Sequence, residues 1–221
     1  LKRDILQPLA DAAFDHPTTR AELERARTDD PELDAYARFR AARLLQPDPD
    51  TPLPRTLPDP DHDPRAAARY RLTLYAQHRL RQQLDDLQTR DRGLYLDVPV
   101  GVHAASYDVW RHADAFASRC TVGAPPDPFF THGQNWGFPP LTPEAATSHA
   151  LPYQTEILER HARRSRLLRL DHVMALHRLF WIPRGSAATE GVFVNYRPDP
   201  LYATLTRLAT RHQCAIVGEN L

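Results

Sequence analysis

Lysine, glycine and cysteine are scarce in this chain of 221 residues. Lys2 is the only lysine, and the 28 lysine and arginine residues are balanced by 28 aspartate and glutamate residues, so the net charge is zero. Proteins that bind nucleic acids draw much of their affinity from a clustered excess of positive charge. The balance therefore predicts no nucleic-acid partner.

Cysteine is limited to Cys120 and Cys214. Two residues cannot build a disulfide framework or a zinc site with four cysteine ligands, and they favour a reducing compartment. The 11 histidines include no HxH or HExxH grouping. We therefore expect no metal site and no cofactor, and we predict a cytoplasmic protein.

Long hydrophobic runs are also missing. No apolar stretch approaches the ~18 residues that would span a membrane, and the chain does not open on a secretory signal pattern. We expect no membrane contact, whereas the oligomeric state is left open. Because residue 1 is not Met and residues 215–221 read as a core strand with nothing after it, we interpret the chain as a fragment of a longer protein.

The first part of the chain is helical in pattern and is interrupted by prolines. Residues 1–45 read as short helices, and apolar side chains recur at helical spacing over 65–90. Seven prolines lie within 46–64, where fixed φ angles and missing N–H donors favour an extended connector. We predict a helical insertion subdomain over 1–94 with a proline-rich connector at 46–64.

After Gly93 short apolar strands alternate with helices, which predicts a parallel sheet in an α/β protein. Residues 103–142 are rich in Pro, Gly and aromatic residues and read mostly as loop. The predicted elements are strands at 94–102, 167–171 and 214–217, and helices at 152–166 and from residue 199.

Each predicted strand carries a carboxylate towards its end: Asp97, Asp171 and Glu219. Parallel α/β folds, and (β/α)₈ barrels in particular, place their functional residues at the carboxyl ends of strands. A buried, unpaired carboxylate costs folding free energy. One such residue could belong to a structural ion pair, but three in successive strands favour a common site.

Two of these carboxylates have surroundings that suit glycoside chemistry. Arg169 lies two residues before Asp171 and faces the same side of the strand, so it can keep Asp171 ionised as a nucleophile requires; a structural bridge is the alternative. Glu219 follows Gly218 at the end of an apolar strand, where partial desolvation favours the protonated form of a general acid. Two carboxyl groups facing one cleft are the minimum for glycosyl transfer.

Several segments together resemble one enzyme family, the 4-α-glucanotransferases, also called amylomaltases or disproportionating enzymes (glycoside hydrolase family 77). The resemblance extends from about residue 70 to 221. The segments that carry it are 97–102 (DVPVGV) with 108–110 (DVW), 124–127 (APPD) with 133–140 (GQNWGFPP), 169–174 (RLDHVM) with 179–183 (LFWIP), and 217–221 (VGENL).

The resemblance implies roles for seven residues and makes His172 an eighth, substrate-binding candidate. Asp171 is implied as the nucleophile, Glu219 as the general acid/base, and Arg169 as the residue that orients Asp171. The substrate-binding residues implied by the resemblance are Asp97 at the donor subsite, and Asp127, Gln134 and Trp136 on a mobile loop that covers the glucan. Two alternatives stay open: Trp136 could pack the loop against the barrel, and His172 is either a sugar contact or a packing residue.

The family resemblance also implies the fold and the reaction. Residues 95–221 would form part of a catalytic (β/α)₈ TIM barrel, about strands 3 to 5, with a substrate-covering loop at 103–142; the family's third carboxylate would lie beyond Leu221. The implied reaction is retaining transfer of α-1,4-glucan segments between maltooligosaccharides, with the fragment alone inactive. The alternatives are an α-glucan hydrolase, a debranching-type transferase, or a non-catalytic glucan-binding relative. The presence of both Asp171 and Glu219 disfavours the non-catalytic alternative.

Overall fold

The computed structural model describes residues 2–48, 51–89, 93–143 and 150–220. The chain divides into two compact units, Leu1–Arg90 and Asp91–Leu221. Each unit has a hydrophobic core of its own.

The first unit is helical, and its elements are α1 (Lys2–Asp15), α2 (Pro17–Asp29), α3 (Pro31–Leu44) and α4 (Pro64–Thr89). Its core combines small and large apolar side chains, including the fully buried Leu23, Ala37 and Leu74. In the described residues between α3 and α4, the regular structure is a single 3₁₀ turn at Pro60–His62. The helices predicted before residue 46 and over 65–90 are confirmed for the described residues, whereas Leu1 and Arg90 lie outside them.

The second unit mixes strands and helices. Among the described residues of the whole chain, no helix has both the length and the apolar character needed to cross a membrane. The elements of the second unit are β1 (Leu94–Val98), α5 (Tyr107–Arg111), β2 (Cys120–Ala124), β3 (Gln134–Asn135), α6 (Ala150–Ala162), β4 (Ser165–Leu170), β5 (Arg178–Pro183), β6 (Val192–Asn195), α7 (Asp199–His212) and β7 (Ala215–Gly218).

Strands β1, β4 and β7 form the predicted parallel sheet, in that order. Asp97 is in register with Arg169, and Arg169 is in register with Val217. Helix α6 leads from β1 towards β4, and α7 precedes β7, as in βαβ units. The α/β class with a parallel sheet is therefore confirmed.

The two faces of this sheet differ in chemistry because side chains alternate along each strand. Leu168 and Leu170 are buried on one face, where they pack with Leu158 of α6 and with Leu205 and Leu208 of α7. Burying this apolar surface fixes which face is turned towards the helices. Arg169, which lies between them in sequence, projects from the opposite face.

A second sheet in this unit was not predicted. Strands β3, β2, β5 and β6 lie side by side in an antiparallel sheet, with Val122 and Ile182 fully buried. The prediction that residues 103–142 are mostly loop is confirmed, but the segment also contains β2, β3, α5 and a 3₁₀ turn at Ala113–Ala115, which were not predicted. β2 is only five residues long and pairs with β5 about sixty residues later, so its stabilising partner is not visible locally.

Candidate active site

The ends of the three parallel strands meet at one guanidinium group. Arg169 donates from Nη1 to Oδ2 of Asp97 at 2.7 Å and from Nη2 to Oδ1 of Asp171 at 2.9 Å. The same Nη2 atom lies 3.3 Å from Oε1 of Glu219. All three predicted carboxylates therefore converge on Arg169, as the sequence pattern indicates.

The shared nitrogen limits the distance between Asp171 and Glu219. Because Oδ1 of Asp171 and Oε1 of Glu219 lie 2.9 and 3.3 Å from the same Nη2 atom, the two oxygens are separated by at most the sum of these distances. That limit for one pair of oxygens, about 6 Å, is compatible with the ~5–5.5 Å that separates the two carboxyl groups of retaining glycosidases.

Charge and exposure at this cluster suit a cationic reaction centre. The pKa of Arg169 is raised above its usual value, first by its hydrogen bond to Asp97 and then, against some desolvation, by the charges of Asp97 and Asp171. Three carboxylates around one permanent cation leave an excess of negative charge. The side chains of Arg169, Asp171 and Glu219 keep 26%, 33% and 23% of their surface exposed, so a ligand can reach them.

The turn after β4 brings His172 to the cluster. His172 has φ 50° and ψ 63°, in the left-handed region, and its backbone N–H donates to Oε2 of Glu219 at 2.9 Å. The Asp171 N–H donates to the carbonyl oxygen of Val98 at 3.0 Å, which joins this turn to the end of β1. The carboxylate of Glu219 is thus held by a backbone N–H as well as by Arg169, and the turn that carries Asp171 is tied to β1.

The loop that contains β3 reaches the same turn. The indole of Trp136 and the imidazole of His172 pack edge to face, with centroids 5.3 Å apart. The Trp136 side chain donates from Nε1 to Oε1 of Gln134 at 3.1 Å, and its backbone N–H donates to the carbonyl oxygen of Val122 at 2.9 Å. Trp136, Gln134 and His172 are therefore brought together.

Asp127 has a different environment. Its Oδ1 accepts from the backbone N–H groups of Phe129 and Phe130 at 2.7 and 2.6 Å, and both rings are exposed. The carboxylate is engaged by its own loop rather than by the Arg169 cluster. Asp127 shapes the tip of the loop on which the two aromatic rings are presented.

Two features of the site were missed by sequence reasoning. One is the His172 N–H, which no residue pattern marks because almost every residue has such a group. The other is the close packing of Gly218: a Cβ atom there would lie 2.6 Å from Cγ2 of Val173. In the sequence, the glycine directly before Glu219 is the one feature that indicates a close approach of another segment to the end of β7.

No group of three His, Cys, Asp or Glu side chains that could hold a metal ion occurs within the described ranges. At the strand ends, the space between the carboxylates is taken by the guanidinium of Arg169. The charge that would attract a cation is thus partly neutralised by the protein itself.

Comparison with known sequences gives one family. The family model described as 4-alpha-glucanotransferase matches residues 1–221. A protein from Haemophilus influenzae named 4-alpha-glucanotransferase is 39% identical over 129 residues, which is 58% of this chain and 18% of that protein. The chain thus covers less than a fifth of this curated relative.

Comparison with solved structures gives amylomaltases. The amylomaltase of Corynebacterium glutamicum superposes with a TM-score of 0.77 at 26% identity, covering 97% of this chain and 31% of the other. The amylomaltase of Streptococcus agalactiae, solved in complex with acarbose, superposes with a TM-score of 0.81 at 17% identity, covering 100% and 48%. The second likeness is evidence of the fold alone.

Replacing Arg169 tests whether this cation holds the cluster together. We expect Arg169→Leu to lower the melting temperature near pH 7 more than Arg169→Lys, because three carboxylates are then left without a cation. The difference should shrink towards pH 4, where carboxyl groups begin to take up protons. Thermal unfolding at both pH values measures this, and an equal difference at both would contradict it.

Proposed function

Because this chain belongs to the 4-alpha-glucanotransferase family, we propose that the protein transfers α-1,4-glucan segments between maltooligosaccharides with retention of configuration. The observation that supports this most directly is the convergence of Asp171 and Glu219 on Nη2 of Arg169. It gives one carboxylate for covalent attack and a second for proton transfer, at a distance that suits double displacement.

The fold proposal follows from the order of the strands. We assign β1, β4 and β7 to about the third, fourth and fifth strands of a (β/α)₈ TIM barrel, with residues 95–221 as part of the catalytic barrel and 1–94 as a helical insertion. Parallel neighbours in chain order, and carboxylates at their carboxyl ends, support this assignment.

In the first half of the reaction Asp171 is the nucleophile. Its carboxylate attacks the anomeric carbon of the donor glucan and forms the covalent glycosyl ester, while the carboxyl group of Glu219 gives its proton to the departing glycosidic oxygen. Arg169 orients Asp171 through the 2.9 Å hydrogen bond. The excess of negative charge around Arg169 stabilises the positive charge that develops on the sugar ring.

In the second half Glu219 acts as a base. It accepts the proton of the hydroxyl group of an acceptor glucan, whose oxygen attacks the anomeric carbon and releases Asp171. The second inversion restores the original configuration. The product is an extended glucan when a sugar is the acceptor, and a hydrolysed one when water takes its place.

The remaining residues are proposed either to contact the glucan or to support the residues that do. Asp97 contacts the sugar in the donor subsite nearest the scissile bond, from a side chain that is 56% exposed. Trp136 offers its indole face to a sugar, held by Gln134, within the substrate-covering loop 103–142. Asp127 holds the loop tip, and His172 lies beneath Trp136.

The partners that we propose are free maltooligosaccharides and α-1,4-glucans, with no nucleic acid, membrane or cofactor. The balanced charge and the two cysteines support action on such substrates in the cytoplasm.

The first test is the product pattern with maltotriose. We expect the intact full-length protein to convert maltotriose into glucose and longer maltodextrins, because a sugar hydroxyl rather than water releases the covalent intermediate. Chromatography of the products and an assay of reducing ends measure this. A large net gain in reducing ends would mean hydrolysis, and binding without turnover would favour the non-catalytic alternative.

The second test separates the roles of the two carboxylates. Asp171→Asn should lower turnover with every donor by about 10³-fold or more, because the covalent step is lost. Glu219→Gln should lower the rate of bond cleavage in maltotriose by about 10²–10⁴-fold, but much less with an α-glycosyl fluoride, whose leaving group needs no proton.

The first-turnover release of fluoride, or of the departing sugar, measures this difference. Asp15→Asn, at the exposed acidic residue that ends α1 in the first unit, is the matched control for removing one charge. Equal losses of Glu219→Gln with both donors would exclude Glu219 as the acid.

A further inference from the structure

Glu219 is held by three hydrogen bonds to the last residue of β4 and to the turn that follows it. Its backbone N–H donates to the carbonyl oxygen of Leu170, and its carbonyl oxygen accepts from the N–H of Val173, both at 2.9 Å. Its side-chain Oε2 accepts from the N–H of His172, also at 2.9 Å. Two successive N–H groups, of His172 and Val173, thus point at one residue.

The backbone conformation of His172 makes this arrangement possible. A residue with a Cβ atom rarely adopts a φ of 50°, and His belongs to the few types that are enriched there. The left-handed residue turns the chain sharply after Asp171, so that the two N–H groups face β7 rather than continuing along β4. The His172 N–H thereby reaches the side chain of Glu219, and the Val173 N–H reaches its backbone carbonyl oxygen.

Gly218 provides the space for this turn. A Cβ atom at position 218 would lie 2.6 and 2.9 Å from Cγ2 and Cβ of Val173. Contacts under 3.0 Å force one of the two groups to move. With any larger residue at 218, the turn and the end of β7 would therefore have to separate.

The two carboxyl oxygens of Glu219 therefore face different donors, one from a side chain and one from the backbone. Oε1 faces the guanidinium of Arg169 at 3.3 Å, and Oε2 faces the His172 N–H. Together they fix the plane of the carboxyl group relative to Asp171. The imidazole ring of His172 is directed elsewhere, towards the indole of Trp136.

We propose that His172 is a positioning residue for Glu219, and that it acts through its backbone N–H in the left-handed turn and not through its ring as a sugar contact. This inference rests on the proposed function, because it concerns proton transfer by Glu219. The turn holds the carboxyl group where it can reach the glycosidic oxygen, and Gly218 permits the turn.

The test compares two substitutions that both remove the ring. Glycine adopts positive φ readily and keeps the N–H, whereas valine is β-branched and disfavours this conformation. The readout is the ratio of first-turnover rates with maltotriose and with an α-glycosyl fluoride, because only the first donor needs a proton from Glu219. His172→Val should lower this ratio by about 100-fold, the effect of a misplacement of about 1 Å.

His172→Gly should leave the ratio of rates within about threefold of the ratio for the unmodified protein. This change is much smaller than the effect expected from a misplaced Glu219 carboxyl group. Equal shifts in His172→Gly and His172→Val would assign the role to the ring and overturn the proposal. An unchanged ratio in His172→Val would also overturn it.

Gly218→Ala gives a second, independent variant that leaves His172 intact. It should shift the ratio in the same direction as His172→Val, because the added methyl group pushes Val173 and the turn away from Glu219. This variant decides the outcome if His172→Val does not fold, as judged by its melting curve; a wild-type ratio in folded Gly218→Ala would contradict the proposal.

Glu219→Gln is the control that separates this inference from the proposed function. If Glu219→Gln shows no dependence on the donor, the assignment of Glu219 as the acid fails, and the positioning role fails with it. If Glu219→Gln shows the dependence and neither His172→Val nor Gly218→Ala does, only the positioning role fails.

Discussion

The site depends on the ion pairs between the guanidinium of Arg169 and three carboxylates. The guanidinium lies among carboxylates from the ends of three parallel strands, at 2.7 Å from Asp97, 2.9 Å from Asp171 and 3.3 Å from Glu219. Without a cation, three carboxylates this close would repel one another and draw in water or protons. With it, they remain together and still carry the excess negative charge that an oxocarbenium-like state requires.

The fold makes this convergence possible through register and packing. Asp97, Arg169 and Val217 lie side by side, so the residues two positions farther along β4 and β7, Asp171 and Glu219, extend from the same face. The opposite face is buried against α6 and α7. A shift of one residue in either strand would turn the charged side chains into that apolar core.

The sequence predicts the parallel sheet and the convergence well because both depend on local patterns. Apolar strands that end in Asp97, Asp171 and Glu219, separated by helices, leave few arrangements for a parallel sheet. The pairing of β2 with β5 was missed, since it joins short segments far apart in the chain. The assignment of chemical roles to the carboxylates came from family resemblance, because spacing alone does not distinguish a nucleophile from an ion pair.

Other details depend on backbone geometry that side-chain identity does not encode. The N–H of His172 reaches Glu219 only because the residue is left-handed, and histidine in a sequence carries no mark of that conformation. Asp127 was expected to belong to the glucan-covering loop, and its carboxylate holds the N–H groups of Phe129 and Phe130. Its contribution to binding is therefore proposed to be the shape of the loop.

The most direct test of the account is to capture the covalent intermediate. Glu219→Gln, with an α-glycosyl fluoride, can form the glycosyl ester but lacks the base that would release it. Acid quenching, proteolysis and peptide mass spectrometry should then find the sugar attached to Asp171. A sugar attached to Asp97, or no adduct while fluoride is released, would contradict the assignment of Asp171 as the nucleophile of a retaining transferase.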